Sequence, residues 1–247
     1  MISKSQINFI KSLHQKKFRK EHSLFIVEGI KSLSEFIGSD YEIDSVFCTE
    51  NISPKLSKLS ENVKIYRVTE DELKKISTLN TPQHLLAVIK IPENLTVDYE
   101  NLKGEFHLVL DGIQDPGNLG TIIRTADWFG IDKIFCSLDT VEVYNPKVVQ
   151  ATMGSISRIK VIYTELSDFL SASGLPVYGA LLDGTSIYDT DLGNEGLIVL
   201  GNEGKGISEE LMDKITVPLT IPRFGRAESL NVAVSASIFC SEIRRNS

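Results

Sequence analysis

Apolar Ile7, Ile10 and Leu13 recur at helical spacing and predict a first helix over residues 5–14. The run LFIVEG (24–29) reads as a short buried strand, followed by a helix over Ile30–Ile37. IDSVFC (43–48), VKIYRV (63–68) and HLLAVIKI (84–91) are rich in β-branched residues and read as strands. Between the last two, Thr69 followed by Glu72 has the spacing of a capping box and predicts a short helix. Residues 92–104, PENLTVDYENLKG, are polar, with Pro92 and Gly104, and read as a linker. Beyond them FHLVLD (106–111), KIFCS (133–137), RIKVIY (158–163), VYGALL (177–182) and LIVLG (197–201) read as strands. Helical patterns fall at Leu119–Phe129, at 146–154, at Ser208–Met212 with Ser208 as N-cap, and from about Ser229 to the end. Strands alternating with helices predict an α/β fold with a mostly parallel sheet in the second part and a smaller α/β unit before it. The boundaries read as 1–95, a linker over 96–105, and 106–247.

Composition adds little until the charges are located. Hydrophobic residues make up 42% and charged residues 24% of the 247, as in ordinary globular proteins. No stretch reaches the roughly 20 apolar residues that span a bilayer, and the polar, basic start lacks the apolar segment of a secretory signal. Cys48, Cys136 and Cys240 lie far apart, which argues against a zinc site or disulfide framework and favours a reducing cytoplasm. The net charge of −7 is unhelpful for binding nucleic acid. Residues 1–100 are balanced, however, with 14 basic and 14 acidic residues, and the deficit lies wholly in residues 101–247. Lys4, Lys11, Lys16, Lys17, Arg19 and Lys20 all precede the first acid, so a local basic arm could neutralise phosphates. Such a cluster is also compatible with a plain solvated face.

Candidate chemistry sits where glycines and polar residues follow apolar strands: LDGIQDPGNLGTIIRTADWFG (110–130), LGNEGKGIS (200–208) and IPRFGRAESLNVAVS (221–235). Ligands bind at the carboxyl ends of strands in parallel sheets, so three such loops could converge on one ligand. Neither the G-x-G-x-x-G dinucleotide fingerprint nor a G-x-x-x-x-G-K-[ST] phosphate loop is present. That weighs against a dehydrogenase-like nucleotide-binding enzyme.

Together the three segments resemble the SpoU (TrmH-like) family of RNA 2′-O-ribose methyltransferases, within the SPOUT superfamily. The first motif stands as Asn118, Gly120, Arg124, Thr125, Ala126, Phe129 and Gly130. The second is Leu200-Gly201-Asn202-Glu203-Gly204-Lys205-Gly206, and the third is Ile221-Pro222 with Ser229-Leu230-Asn231-Val232. Residues 1–95 more loosely resemble the RNA-binding domain that often precedes this catalytic one, through Lys17, Arg19 and FIVEG (25–29). Arg223 and Phe224 depart from the family, which often has methionine and a small residue there, and Ser235 stands where alanine is common. These departures bear on the choice of substrate.

The resemblance implies a deep trefoil knot, which pattern alone would not suggest because knotted chains are rare. It implies S-adenosylmethionine as cofactor, with no metal, and contacts from Gly201, Ile221 and Leu230. By pattern alone those three residues read as ordinary core. It also implies catalysis by Arg124, either as the base or, because a guanidinium stays charged, as a ligand for the phosphate and 2′-oxygen that stabilises the developing alkoxide. Glu203 could orient Arg124 or be a solvated loop acid, while Asn118, Ser229 and Asn231 would complete the frame. Ser229 and Asn231 read equally as N-cap and first-turn residues of the last helix. Lys16, Lys17, Arg19, Lys20 and Arg124 are the candidate RNA contacts. The implied partners are RNA, ribosomal in preference to transfer RNA, and a second copy of the chain. A silent RNA-binding protein of the same fold is the main alternative.

Overall fold

The computed structural model describes residues 2–52, 56, 59–60, 62–93 and 96–245. In chain order its elements begin with α1 (Lys4–Ser12), α2 (Lys16–His22), β1 (Leu24–Glu28), α3 (Ile30–Phe36), β2 (Ile43–Cys48), β3 (Lys64–Arg67), α4 (Glu70–Ile76) and β4 (Leu85–Lys90). There follow β5 (Phe106–Leu110), α5 (Pro116–Trp128), β6 (Lys133–Cys136), α6 (Pro146–Thr152), β7 (Lys160–Tyr163) and α7 (Leu166–Ser173). The chain ends with β8 (Val177–Ser186), β9 (Gly196–Leu200), α8 (Glu209–Met212), β10 (Val217–Thr220) and α9 (Val232–Arg244). These form two compact units: Met1–Asn94 with Glu142–Ser157, and Leu95–Val141 with Arg158–Ser247. Among the described residues no helix is long and apolar enough to cross a membrane.

The first unit is a four-stranded sheet in the order β1-β4-β2-β3, antiparallel except between β2 and β3. Its core gathers Ile10 and Leu13 with Ile26, Phe47, Leu73, Ile76, Leu86 and Val88. Two capping boxes start its helices. The Ser3 hydroxyl accepts from Gln6 N–H (3.2 Å) while the Gln6 carbonyl accepts from Ser3 N–H (2.9 Å). Thr69 and Glu72 exchange the same bonds at 3.2 and 3.0 Å, as their spacing predicted. The backbone donors of Thr69 and Ile2 also hold the Glu72 carboxyl below the usual range.

Helix α2, which the apolar pattern did not reveal, corrects one proposed RNA contact. Arg19 faces inward and is 2% exposed; its guanidinium donates to Leu13 O at 2.9 Å and pairs with Glu142. A guanidinium so committed cannot also meet a phosphate, whereas Lys16, Lys17 and Lys20 are exposed. Glu142 also explains why residues 142–157, which alternation assigned to the second unit, belong to the first. Tyr144 packs on Phe25 with ring centres 4.7 Å apart, and α6, capped by Asn145, lies against β1. At Gly154 (φ +98°) an added Cβ would fall 2.4 Å from Glu35 Cγ, so this segment returns with no room for a side chain.

The second unit is a six-stranded sheet in the order β10-β8-β9-β5-β6-β7, with every pairing parallel. Strands β5 and β9 are buried along their whole length, which is why they read as continuous apolar runs. The apolar pattern predicts neither helix α7 nor strand β10. VPLT carries a proline that cannot donate to a ladder, and it is tolerated because β10 is an edge strand. Buried Cys136 and Cys240 are held as thiols, the latter by burial that pushes its pKa up to about 12.

Candidate active site

Three loops leave the carboxyl ends of β5, β9 and β10, where a parallel sheet exposes backbone for a ligand. The first two are stitched together by short polar side chains. Asp111 Oδ2 accepts from Ser208 N–H at 2.7 Å, and Asn202 Nδ2 donates to Gly112 O at 2.7 Å. Asn202 Oδ1 accepts from the amides of Gly204 and Lys205 at 2.9 and 3.1 Å. Asn202 and Gly206 also exchange backbone bonds of 2.9 Å, closing the loop into a tight hairpin. Gly201 sits at its neck, where a Cβ would lie 2.2 Å from the backbone of Gly206 and Ile207. Only glycine permits that crossing.

The third loop joins through a relay of amides that α9 sets in order. Asn231 caps this helix, its Oδ1 accepting from Ala233 N–H (2.9 Å) and Val234 N–H (3.3 Å). Backbone N–H groups can only donate, so the oxygen must face them and Nδ2 must point away. That Nδ2 donates to Asn118 Oδ1 at 2.9 Å, which turns the Asn118 amide and sends its own Nδ2 to Glu203 Oε1 at 3.0 Å. Glu203 Oε1 lies 3.4 Å from the N–H of Asp115, the N-cap of α5, where the helix field favours an anion. One residue from each motif thus meets in a single chain of bonds. Glu203 spends its carboxylate on Asn118 and Asp115, not on Arg124.

Arg124 lies six residues along α5 from Asn118, about 9 Å of axial rise. It shares an exposed stripe with Gly117, Thr121 and Trp128 and makes no hydrogen bond or ion pair among the described residues. Ser229 lies outside α9 and is exposed, so Asn231 alone takes the cap that the spacing left open between them. Ile221 is half-buried and Leu230 is 48% exposed, so both keep apolar surface outside the core. The sequence motifs assign no role to Asp111, Asp115 or Asn202. Asp115-Pro116 was a legible signal, since an N-cap aspartate before a first-turn proline starts a helix.

A separate group lies at the amino ends of β5 and β6. His107 is buried, with Nε2 against Leu102 O at 3.0 Å and Nδ1, 4.0 Å from Asp132, without a hydrogen-bond partner among the described residues. Glu105 and Asp132 could in principle join it around a cation. The Lys133 ammonium already pairs with Asp132 at 3.0 Å and Glu105 at 3.5 Å, so half of their charge is offset from within the chain.

Comparison with known proteins identifies the family of the chain. Residues 105–241 match the SpoU rRNA Methylase family, and residues 4–87 match the MRM3-like substrate binding domain. The chain is 33% identical over 238 residues to the 23S rRNA (guanosine(2553)-2′-O)-methyltransferase RlmP of Bacillus subtilis, covering 95% of this chain and 94% of that one. A solved TrmH-family structure from Porphyromonas gingivalis is 40% identical, covers 100% of both chains and superposes with a TM-score of 0.91. An AdoMet-bound rRNA methyltransferase from Sinorhizobium meliloti is 28% identical, with a TM-score of 0.88 over 99% of this chain and 97% of that one. The chain belongs to the SpoU rRNA Methylase family: a SPOUT-type α/β methyltransferase domain that follows an MRM3-like substrate binding domain.

Proposed function

We propose that this chain methylates a nucleotide of ribosomal RNA, working as a homodimer in the cytoplasm. The observation that carries the reading is the Asn231–Asn118–Glu203 relay, which ties together the three loops. S-adenosylmethionine supplies an activated methyl group, so the chain itself must align the sugar and relocate one proton. Gly201, Ile221 and Leu230 are the proposed cofactor contacts. The half-buried Ile221 and half-exposed Leu230 offer the apolar surface an adenosine needs, and the tight Gly201 hairpin presents backbone groups beside it.

Arg124 is the proposed catalytic residue. Its exposed guanidinium makes no hydrogen bond or ion pair among the described residues, and a guanidinium is a cationic donor, so it holds the target phosphate and 2′-oxygen and stabilises the alkoxide. Asn118, Glu203, Ser229 and Asn231 frame that oxygen. Lys16, Lys17 and Lys20, exposed on α2, supply phosphate contacts from the unit that matches a substrate binding domain. Ribosomal RNA is favoured because the relative RlmP is named for 23S rRNA.

The dimer rests on apolar surface left on the second unit. Helix α9 buries Val232, Ala233, Ala236, Phe239, Cys240 and Ile243 but leaves Val234 48% exposed, and Trp128 on α5 is 85% exposed. A second copy of the chain would cover these exposed apolar side chains. The test is tritiated methyl transfer into unmodified ribosomal RNA, with sedimentation for the oligomer. Arg124→Ala should lose transfer while binding S-adenosylmethionine in isothermal titration; single-turnover activity retained in that variant refutes its role.

A further inference from the structure

The third loop carries a feature that the methyl-transfer reading does not use. Between β10 and Asn231 the chain runs Ile221-Pro222-Arg223-Phe224-Gly225-Arg226, and every residue from Arg223 to Asn231 is exposed. Phe224 is 97% exposed, the most of any large apolar side chain among the described residues. Arg223 Nη1 donates to Ala227 O at 3.3 Å, which folds the loop back and presents Phe224 at its turn. Arg226 is exposed and makes no hydrogen bond or ion pair among the described residues. These two cations flank the ring within a half of the chain that is acidic overall.

We propose that the Arg223–Arg226 loop is an RNA-reading element, in which Phe224 stacks on an unpaired base next to the target ribose and Arg226 holds a neighbouring phosphate. This rests on the methyltransferase reading above. A phenyl face meets any base by stacking, which suits a nucleotide drawn out of a folded RNA, and flanking guanidiniums match its phosphates. Continuity supports the placement: the loop ends at Asn231, whose side chain bonds Asn118 in the catalytic relay, seven residues beyond Phe224. A protein–protein contact would need no flanking cations. An RNA strand does.

The experiment measures steady-state transfer from S-adenosylmethionine to an unmodified 23S-type ribosomal RNA transcript. Phe224→Ala should raise KM for RNA about tenfold, with KM for S-adenosylmethionine, the melting temperature and kcat at saturating RNA nearly unchanged. Phe224→Tyr and Phe224→Trp should restore the wild-type KM because they keep the stacking face. Arg226→Gln should flatten the dependence of KM on salt by about one counterion. An unchanged KM for RNA in Phe224→Ala overturns the inference while leaving the enzyme reading intact. So does a shift in sedimentation or cofactor affinity, which would place the ring against protein or cofactor. A wild-type protein that methylates no transcript would instead sink the ribosomal substrate itself.

Discussion

Asn118 is the residue on which the three loops turn, and replacing it by aspartate gives a test whose sign and size follow from geometry. Asn118 Nδ2 stands 3.0 Å from Glu203 Oε1 and Oδ1 stands 2.9 Å from Asn231 Nδ2. In Asn118→Asp the bond to Asn231 survives, because a carboxylate oxygen still accepts. The bond to Glu203 becomes a contact between two carboxylates. At about 3 Å their repulsion is roughly 1.4 kcal/mol at the dielectric of water and about 5.5 kcal/mol at an effective dielectric of 20. Both groups lie near the surface, which favours the lower end, and the pair can escape by separating or taking up a proton. Asn118→Ala removes both bonds without adding charge and should cost about 1–2 kcal/mol, since water replaces the lost partners. The expected order of kcat/KM is therefore wild type, Ala, then Asp at pH 8, with Ala down about five- to thirtyfold, the loss that about 1–2 kcal/mol allows. The Asp variant should recover relative to Ala only as pH falls from 8 to about 5, because a repulsion of this size lets the pair take up a proton just above the ordinary carboxylate range. Initial rates of tritiated methyl transfer across that range read both effects. An Asp variant that matches wild type at pH 8 would show that the relay plays no part in catalysis.

The buried Arg19–Glu142 pair should behave asymmetrically: Glu142→Ala costs about 3–5 kcal/mol in urea unfolding by stranding a buried guanidinium, while Arg19→Met with Glu142→Leu loses far less. A Glu142→Ala variant within 1 kcal/mol of wild type would contradict the packing of residues 142–157 on the first unit. Gly201→Ala should weaken S-adenosylmethionine binding and destabilise the second unit by about 1–3 kcal/mol, because its methyl meets backbone 2.2 Å away. Undisturbed calorimetric affinity and melting would rule this out. Burial lowers the pKa of both His107 and His14 in the folded chain from the ordinary 6.5. The unfolded chain then binds those protons first, so stability should fall as pH drops below about 6.5. His107→Gln should flatten that fall in chemical unfolding between pH 7 and pH 5, and an unaltered slope would exclude His107 as its source.

The sequence by itself determined the α/β class, nearly all the strands, the capping box at Thr69 and the three motif loops. Each of these is written locally, in a period of apolar residues, a cap or a run of glycines. It also identified the family, because three ordered motifs constrain far more than one. What it could not determine depends on contacts between distant residues. Arg19 reads as one more charge in a basic arm, and only Glu142, 123 positions away, turns it into a buried strut. Residues 142–157 alternate like the second unit yet pack on β1, since local pattern records which face is apolar and not which core receives it. Strand β10 escaped because an edge strand tolerates proline and needs little apolar length. Asn118 and Asn231 were nameable from their motifs, but their amide orientations were not. Those are set by the N–H groups at the start of α9, which can only donate and which meet Asn231 only once the helix has formed.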